Sequence, residues 1–206
     1  MKTPKQFYKE LGADKLASRK LSSYTKKELV YLEKLLNKNQ KILDLACGYG
    51  RFTIPLASKG YNIQGLDISP ELIAKAKDVS KKEKIDINFQ IGDMRQLPYE
   101  NNSFDSIICM WSAFLELSEE EDQLKAMQEM IRIIKRGGLI FLEMSKPEES
   151  MEKTHIPTIE GIEGVPMYRH NEITIQKLID KICVSKSRIS IEDFGGRDRL
   201  LVFIWK

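Results

Sequence analysis

The sequence predicts an α/β fold: a doubly wound sheet of seven strands, five parallel plus a C-terminal antiparallel hairpin, with helices on both faces. Three observations carry this. Short apolar runs alternate with amphipathic stretches from residue 41 to 145, as βαβ units require. Some of those runs are apolar almost throughout, like strands covered on both faces. The last two, 188–193 and 199–205, are separated by five residues, too few for a parallel crossover.

The elements follow in chain order. Residues 5–37 are polar and helical in character. Thr25 and Glu28 have the spacing of a capping box for a helix to Leu36, with Leu29, Leu32, Leu35 and Leu36 on one stripe. Residues 41–45 (KILDL) read as the first strand. Residues 51–59 read as a helix ended by Gly60 in a left-handed conformation. Residues 62–66 give the second strand. Ser69-Pro70-Glu71 then supplies a capping hydroxyl, a proline at the first position and an acid in the first turn, starting a helix to about Lys82. Residues 86–91 and 104–110 give the third and fourth strands. Residues 119–135 form an amphipathic helix with Leu124, Met127, Met130, Ile131 and Ile134 inward. Gly137-Gly138 turns it into a fifth strand at 139–144. Residues 146–171 are rich in Pro, Gly and charge, with strand signals near Ile156 and 165–168, and a last helix over 174–184 precedes the hairpin. The expected organisation is one domain over 1–206. It comprises an N-terminal helical cap (1–37), a cofactor-binding core (38–145), an insertion or lid (146–171), and the last helix with the terminal hairpin (172–206).

Composition narrows the partners. The 206 residues carry 33 Lys+Arg against 30 Asp+Glu, a net +3, with 42% hydrophobic residues; this is the balance of a soluble globular chain. The charges are interleaved, so no massed basic face invites nucleic acid. Three cysteines without a C-x-x-C pair argue for a reducing, cytoplasmic setting. The opening residues lack the apolar core of a secretion signal, and no run approaches the roughly 18 apolar residues that span a bilayer. Two histidines and scattered cysteines predict no metal.

The first strand runs into Leu43-Asp44-Leu45-Ala46-Cys47-Gly48-Tyr49-Gly50. Glycines between a strand and a helix let backbone approach a ligand, and the helix N-terminus offers unpaired N–H groups. The second strand ends at Asp67, where a carboxylate can accept from both hydroxyls of a ribose. The third ends at Gly92-Asp93-Met94; Asp93 can accept from an adenine amine while Met94 covers the ring. Each feature also has a bland reading, as a tight turn or a helix cap. Three consecutive strand ends of this kind together point to an adenosine ligand.

These residues resemble the class I S-adenosylmethionine-dependent methyltransferases, small-molecule type, which have a Rossmann-like sheet. The resemblance implies S-adenosyl-L-methionine as cofactor. It assigns Asp44 as the acid of the first motif, Ala46 at the first glycine position (a departure from the family pattern), and Gly48 and Gly50 as the second and third glycines. Asp67 with Ile68 falls at the ribose, Asp93 and Met94 at the adenine, and Met110 and Trp111 beside the methionyl part. The resemblance covers residues 38–145 strongly and 172–206 in topology. It implies in-line methyl transfer to a small-molecule acceptor, driven mainly by proximity and desolvation. In this family the N-terminal segment often folds over the cofactor, which makes Arg19 and Tyr24 candidates for its carboxylate.

Trp111, Phe114 and Tyr168 are candidates for an acceptor pocket, although aromatics can equally roof the core. Glu116, His155 and His170 are candidates for a base, or ordinary loop and surface residues. Two rival readings stay open. One is a non-catalytic S-adenosylmethionine-binding module. The other is a nicotinamide-dependent oxidoreductase, which would need Gly or Ala where Thr53 stands. The acceptor, the atom methylated and the choice between monomer and homodimer are left open at this stage.

Overall fold

The computed structural model describes residues 2–18, 22–146, 154–156, 158–159 and 161–206. KILDL forms β1 (Lys41–Leu45) in the middle of five parallel strands, with its last four residues buried. β2 (Asn62–Asp67) and β3 (Phe89–Ile91) lie to one side of it. β4 (Phe104–Cys109) and β5 (Ile134–Ser145) lie to the other. All five are parallel. Two ribbons follow, β6 (Thr154–His155) with β9 (Met167–Tyr168) and β7 (Thr158–Ile159) with β8 (Ile162–Glu163). The terminal hairpin, β10 (Lys186–Asp193) and β11 (Asp198–Trp205), adds antiparallel strands beyond β5. The full order is β10-β11-β5-β4-β1-β2-β3.

Seven helices accompany the sheet among the described residues: α1 (Pro4–Leu11), α2 (Ala13–Ser18), α3 (Ser22–Leu35), α4 (Thr53–Ser58), α5 (Pro70–Lys82), α6 (Glu120–Ile133) and α7 (Glu172–Ile179). On one face, α6 and α7 bring Met127, Met130, Ile175 and Leu178 against Leu43, Ile107 and Val202. On the other, α3 and α4 bring Leu32, Leu36 and Leu56 against Ile42, Ile108 and Phe203. Burying both faces in this way supplies the main stabilising term of the fold. No described helix is long and apolar enough to cross a membrane.

Four expectations need correction. The helix expected from Thr25 starts at Ser22, so Thr25 and Glu28 do not cap it; both side chains turn to Arg51 instead. The third strand holds only three residues, because this edge strand pairs with no more than the end of β2, Gly65 to Asp67. Gly137-Gly138 does not precede the fifth strand but lies inside it, at an irregularity where Ser106 pairs with Leu139. A Cβ at Gly138 would stand 2.8 Å from the Asp105 carbonyl, so this close approach of two backbones needs glycine. In α6 the buried stripe is Gln123, Ala126, Met127, Met130 and Ile133; Leu124 and Ile131 pack at its margin.

The N-terminal cap reaches back over the sheet. Thr3, Pro4 and Gln6 start α1 with a capping box and an N1 proline. Phe7 and Leu11 of this helix are buried with Val165, beside Tyr8, Leu16 and Ile162. The cap and the insertion thus share a small core of their own, set above the carboxyl ends of the strands.

Candidate active site

A cavity of about 460 Å³ opens beyond the carboxyl ends of β1, β2, β3 and β4, the place where open α/β sheets bind ligands. Its floor is the loop from β1 to α4. Ala46, Gly48 and Gly50 all have positive φ (61°, 57° and 82°), so the chain curls tightly here; Ala46 and Gly48 line the cavity, whereas Gly50 does not. At Gly50 a Cβ would also stand 2.7 Å from Ile54, which excludes larger residues. Ala46 holds the left-handed conformation without being glycine, a strain of about 1–2 kcal/mol.

Asp67 ties this loop to the second strand. One carboxylate oxygen accepts from the Gly48 amide at 2.8 Å and the other from the Ser69 amide at 2.9 Å. Burial pushes its carboxyl up to about 6, and those amide bonds work in the opposite direction. Asp44 sits deeper and accepts from the Thr53 hydroxyl at 2.6 Å; burial pushes it up to about 7. Ile68 and Met94 line the same wall. Asp93 lines it too, but Arg95 already engages both of its oxygens. Burial alone would raise the Asp93 carboxyl; the Arg95 bonds outweigh it and hold the group below the usual range.

Across the cavity, Met110 and Trp111 leave β4. Trp111 and Ser112 are consecutive left-handed residues (φ 57° and 62°), an uncommon conformation for a bulky side chain. Glu143 holds the turn: its carboxylate accepts from the Trp111 amide at 2.6 Å and its carbonyl from the Ser112 amide at 3.0 Å. Arg199 pairs with that carboxylate and donates to the Ser112 hydroxyl. The Arg51 guanidinium lies 3.3 Å from the Trp111 ring centre, a cation–π contact. It donates to Thr25 at 2.8 Å and to the fully buried Glu28 at 2.7 Å. Its Nη1 is buried with no hydrogen-bond partner among the described residues.

The roof comes from α1 and the insertion. Lys2, Lys5, Tyr8 and Leu16 line it, with Val165 and Pro166. The Tyr8 hydroxyl donates to Glu116 at 2.5 Å across 108 residues of sequence. Burial pushes the Glu116 carboxyl up to about 7; the Tyr8 bond pulls it down and nearby Asp67 pushes it up.

Residues 42–138 match the family model described as a methyltransferase domain. The match covers just under half of the chain, which is similar there to the class I S-adenosylmethionine-dependent methyltransferases. A putative methyltransferase, YqeM of Bacillus subtilis, is 30% identical over 115 residues, 55% of this chain and 46% of that protein. A ubiquinone biosynthesis O-methyltransferase of Coxiella burnetii is 32% identical over 139 residues, 66% and 56% of the two chains. The chain thus spans about half the length of the relatives it matches. A solved methyltransferase from Methanosarcina mazei superposes with a TM-score of 0.70 over 85% of this chain and 96% of that one, at 19% identity. At that identity the likeness is one of fold.

The other candidate residues fall away from the cavity. Phe114 is fully buried in the core, with its ring 6.3 Å from His170. Tyr168 packs on His170 as well, ring centres 4.8 Å apart, and neither lines the cavity. His170 is itself buried, with one ring nitrogen on Gln123 at 3.0 Å and the other on Thr174 at 3.2 Å. The side chain of His155 and all of Arg19 lie outside the described residues. Tyr24 carries Arg197 over its ring at 4.8 Å and does not line the cavity. Cys109 is buried, which pushes its thiol well up and away from the reactive thiolate.

Burial lowers the His170 ring to about 4, against an unfolded value near 6.5. The unfolded chain takes up a proton that the native site refuses. The stability held by neutral His170 is complete above pH 6.5 and is lost as pH falls towards 4. NMR ring signals at pH 5.5 should therefore show an unprotonated His170; a protonated ring there would contradict its buried position.

Sequence reasoning missed Tyr8, Arg51, Glu28 and Glu143. The Thr3-Pro4-x-Gln6 signature of α1 was legible as a helix start. Nothing local marks the partners these side chains find tens of residues away.

Proposed function

We propose that this domain transfers the methyl group of S-adenosylmethionine to a small-molecule acceptor. The observation that carries the proposal is one continuous cavity, running from the glycine loop and Asp67 to Trp111, Tyr8 and Glu116 under a roof of α1 and Val165–Pro166. The residues fit such a cofactor. Asp67 spends two of its lone pairs on backbone amides and keeps others for a ribose diol. The orphaned buried Nη1 of Arg51 suits a carboxylate. The cofactor brings a sulfonium whose methyl is already activated for displacement.

The chain's own work is then to bind, orient and keep water out. The glycine loop and Asp67 fix the nucleoside end. Met110 and Trp111 form the wall where β4 ends. α1 and the insertion roof the site, so the reacting atoms meet in a mostly apolar chamber. Holding an acceptor about 3–3.5 Å from its target converts a bimolecular step into a unimolecular one. A cavity of this size suits a small acceptor better than a polymer. The name of the Coxiella relative, an O-methyltransferase of ubiquinone biosynthesis, agrees with that class.

Thermal unfolding tests the reading. S-adenosylhomocysteine at a hundred times its Kd should stabilise the protein by about 2.7 kcal/mol, and NADH should not. Stabilisation by NADH with none by S-adenosylhomocysteine would overturn it.

A further inference from the structure

We propose that Glu116, oriented by Tyr8, accepts the proton of the acceptor, and that the acceptor is a neutral phenolic or enolic hydroxyl compound methylated on oxygen. This rests on the methyl-transfer reading above. Three observations point to it. Glu116 directly follows the β4 wall and lines the same cavity as Asp67 and Trp111. Tyr8 holds one of its oxygens, and the other accepts no hydrogen bond from a described residue. Ala113, Leu117, Leu16, Val165 and Pro166 give the same cavity much of its apolar lining, beside which a carboxylate is costly to place.

The charges then select the acceptor. An amine acceptor would arrive as an ammonium, which has no lone pair to attack with and which brings a second cation beside the sulfonium until it loses its proton. A carboxylate acceptor needs no base and would face the charge of Glu116. A neutral hydroxyl avoids both. A base titrating near 7 matches a phenol, whose pKa is about 10 as in tyrosine, far better than a water-like alcohol near about 16. The step balances. The acceptor O–H proton passes to the free oxygen of Glu116 as the O–CH3 bond forms and the S–CH3 bond breaks. The sulfonium becomes a neutral thioether, and Glu116 later returns its proton to water.

Groups from each element packed around Glu116 bear on its titration. They are Tyr8 from α1, which pulls its carboxyl down, and Asp67 from β2, which pushes it up; Lys2 and Lys5 of the roof line the same cavity. Below about pH 7 Glu116 is protonated and the rate should fall; above it the rate should level.

The experiment supplies methyl-labelled S-adenosylmethionine to the full chain with catechols, naphthohydroquinones, alkylamines, thiols and fatty acids as separate probes. Label should appear on the phenolic probes. Glu116→Gln should lower kcat about 10²-fold or more, remove the rise through pH 7, and leave the Kd for S-adenosylhomocysteine within twofold. Tyr8→Phe should lower kcat and move that rise to higher pH, because it removes the hydrogen bond that pulls the Glu116 carboxyl down. Independently of turnover, difference infrared spectroscopy should show a protonated carboxyl band that titrates near pH 7 and is absent in Glu116→Gln. Labelling of amines, thiols or fatty acids in preference to phenols, a fully active Glu116→Gln, or no labelled phenol despite intact S-adenosylhomocysteine binding would each overturn the proposal. Loss of S-adenosylhomocysteine binding by the wild-type chain would instead overturn the methyl-transfer reading beneath it.

Discussion

Glu28→Ala should lower the melting temperature by about 10 °C. The side chain of Glu28 is fully buried, with Arg51 on one oxygen and Arg197 and the Trp111 indole N–H on the other. Removing it leaves two guanidinium groups near one another without their shared counter-charge. Breaking a buried pair from one side costs about 3–5 kcal/mol. In a chain of this size each kcal/mol moves the melting temperature by about 2–4 °C. Changing Glu28 and Arg51 together to methionine should recover only part of the loss, because Arg51 is then no longer stranded while Arg197 still lacks its partner. A Glu28→Ala protein that melts within 2 °C of wild type would mean that the cluster is solvated and merely coincident. The same change should loosen Trp111, since the guanidinium stacked on it is steered by Glu28. Stability and the cavity wall are therefore coupled through one carboxylate.

That carboxylate also marks where sequence reasoning stops. Thr25 and Glu28 have the spacing of a capping box, and a capping box is a local object. Their actual partner, Arg51, lies 26 and 23 residues away, and no periodicity encodes that distance. Features decided within a few residues were legible. The Ser69 hydroxyl caps α5 as its Ser-Pro-Glu signature predicts. KILDL is a strand at its expected limits. The terminal hairpin follows from a connection too short for a crossover. The glycine loop and Asp67 were legible because the sheet itself brings successive strand ends together. The acceptor side was not. Tyr8 meets Glu116 only because α1 packs on Val165 of the insertion, and Phe114, which looks pocket-like in sequence, turns into the core. His170 was a plausible base by type, and its two side-chain partners make it a neutral packing element instead.

Asp67→Asn should weaken S-adenosylhomocysteine binding by about 100-fold, near 3 kcal/mol. The carboxylate has four acceptor positions and uses two on the amides of Gly48 and Ser69. An asparagine has one acceptor oxygen and a donor NH2, so it must give up one amide of the loop and one bond to the ribose diol. Hydrogen bonds to a charged group are worth about 1.5–3 kcal/mol each. Affinity should also depend on pH. The ligand requires the ionised carboxylate, whose titration in the free protein lies at about 6. Binding is therefore at full strength above pH 6 and is lost about tenfold per pH unit below it. Asp67→Asn removes that dependence along with the affinity. Calorimetry from pH 4.5 to 8 reads both effects. If the variant binds within threefold of wild type, or keeps the wild-type loss of affinity below pH 6, then Asp67 does not hold the ribose and only braces the glycine loop.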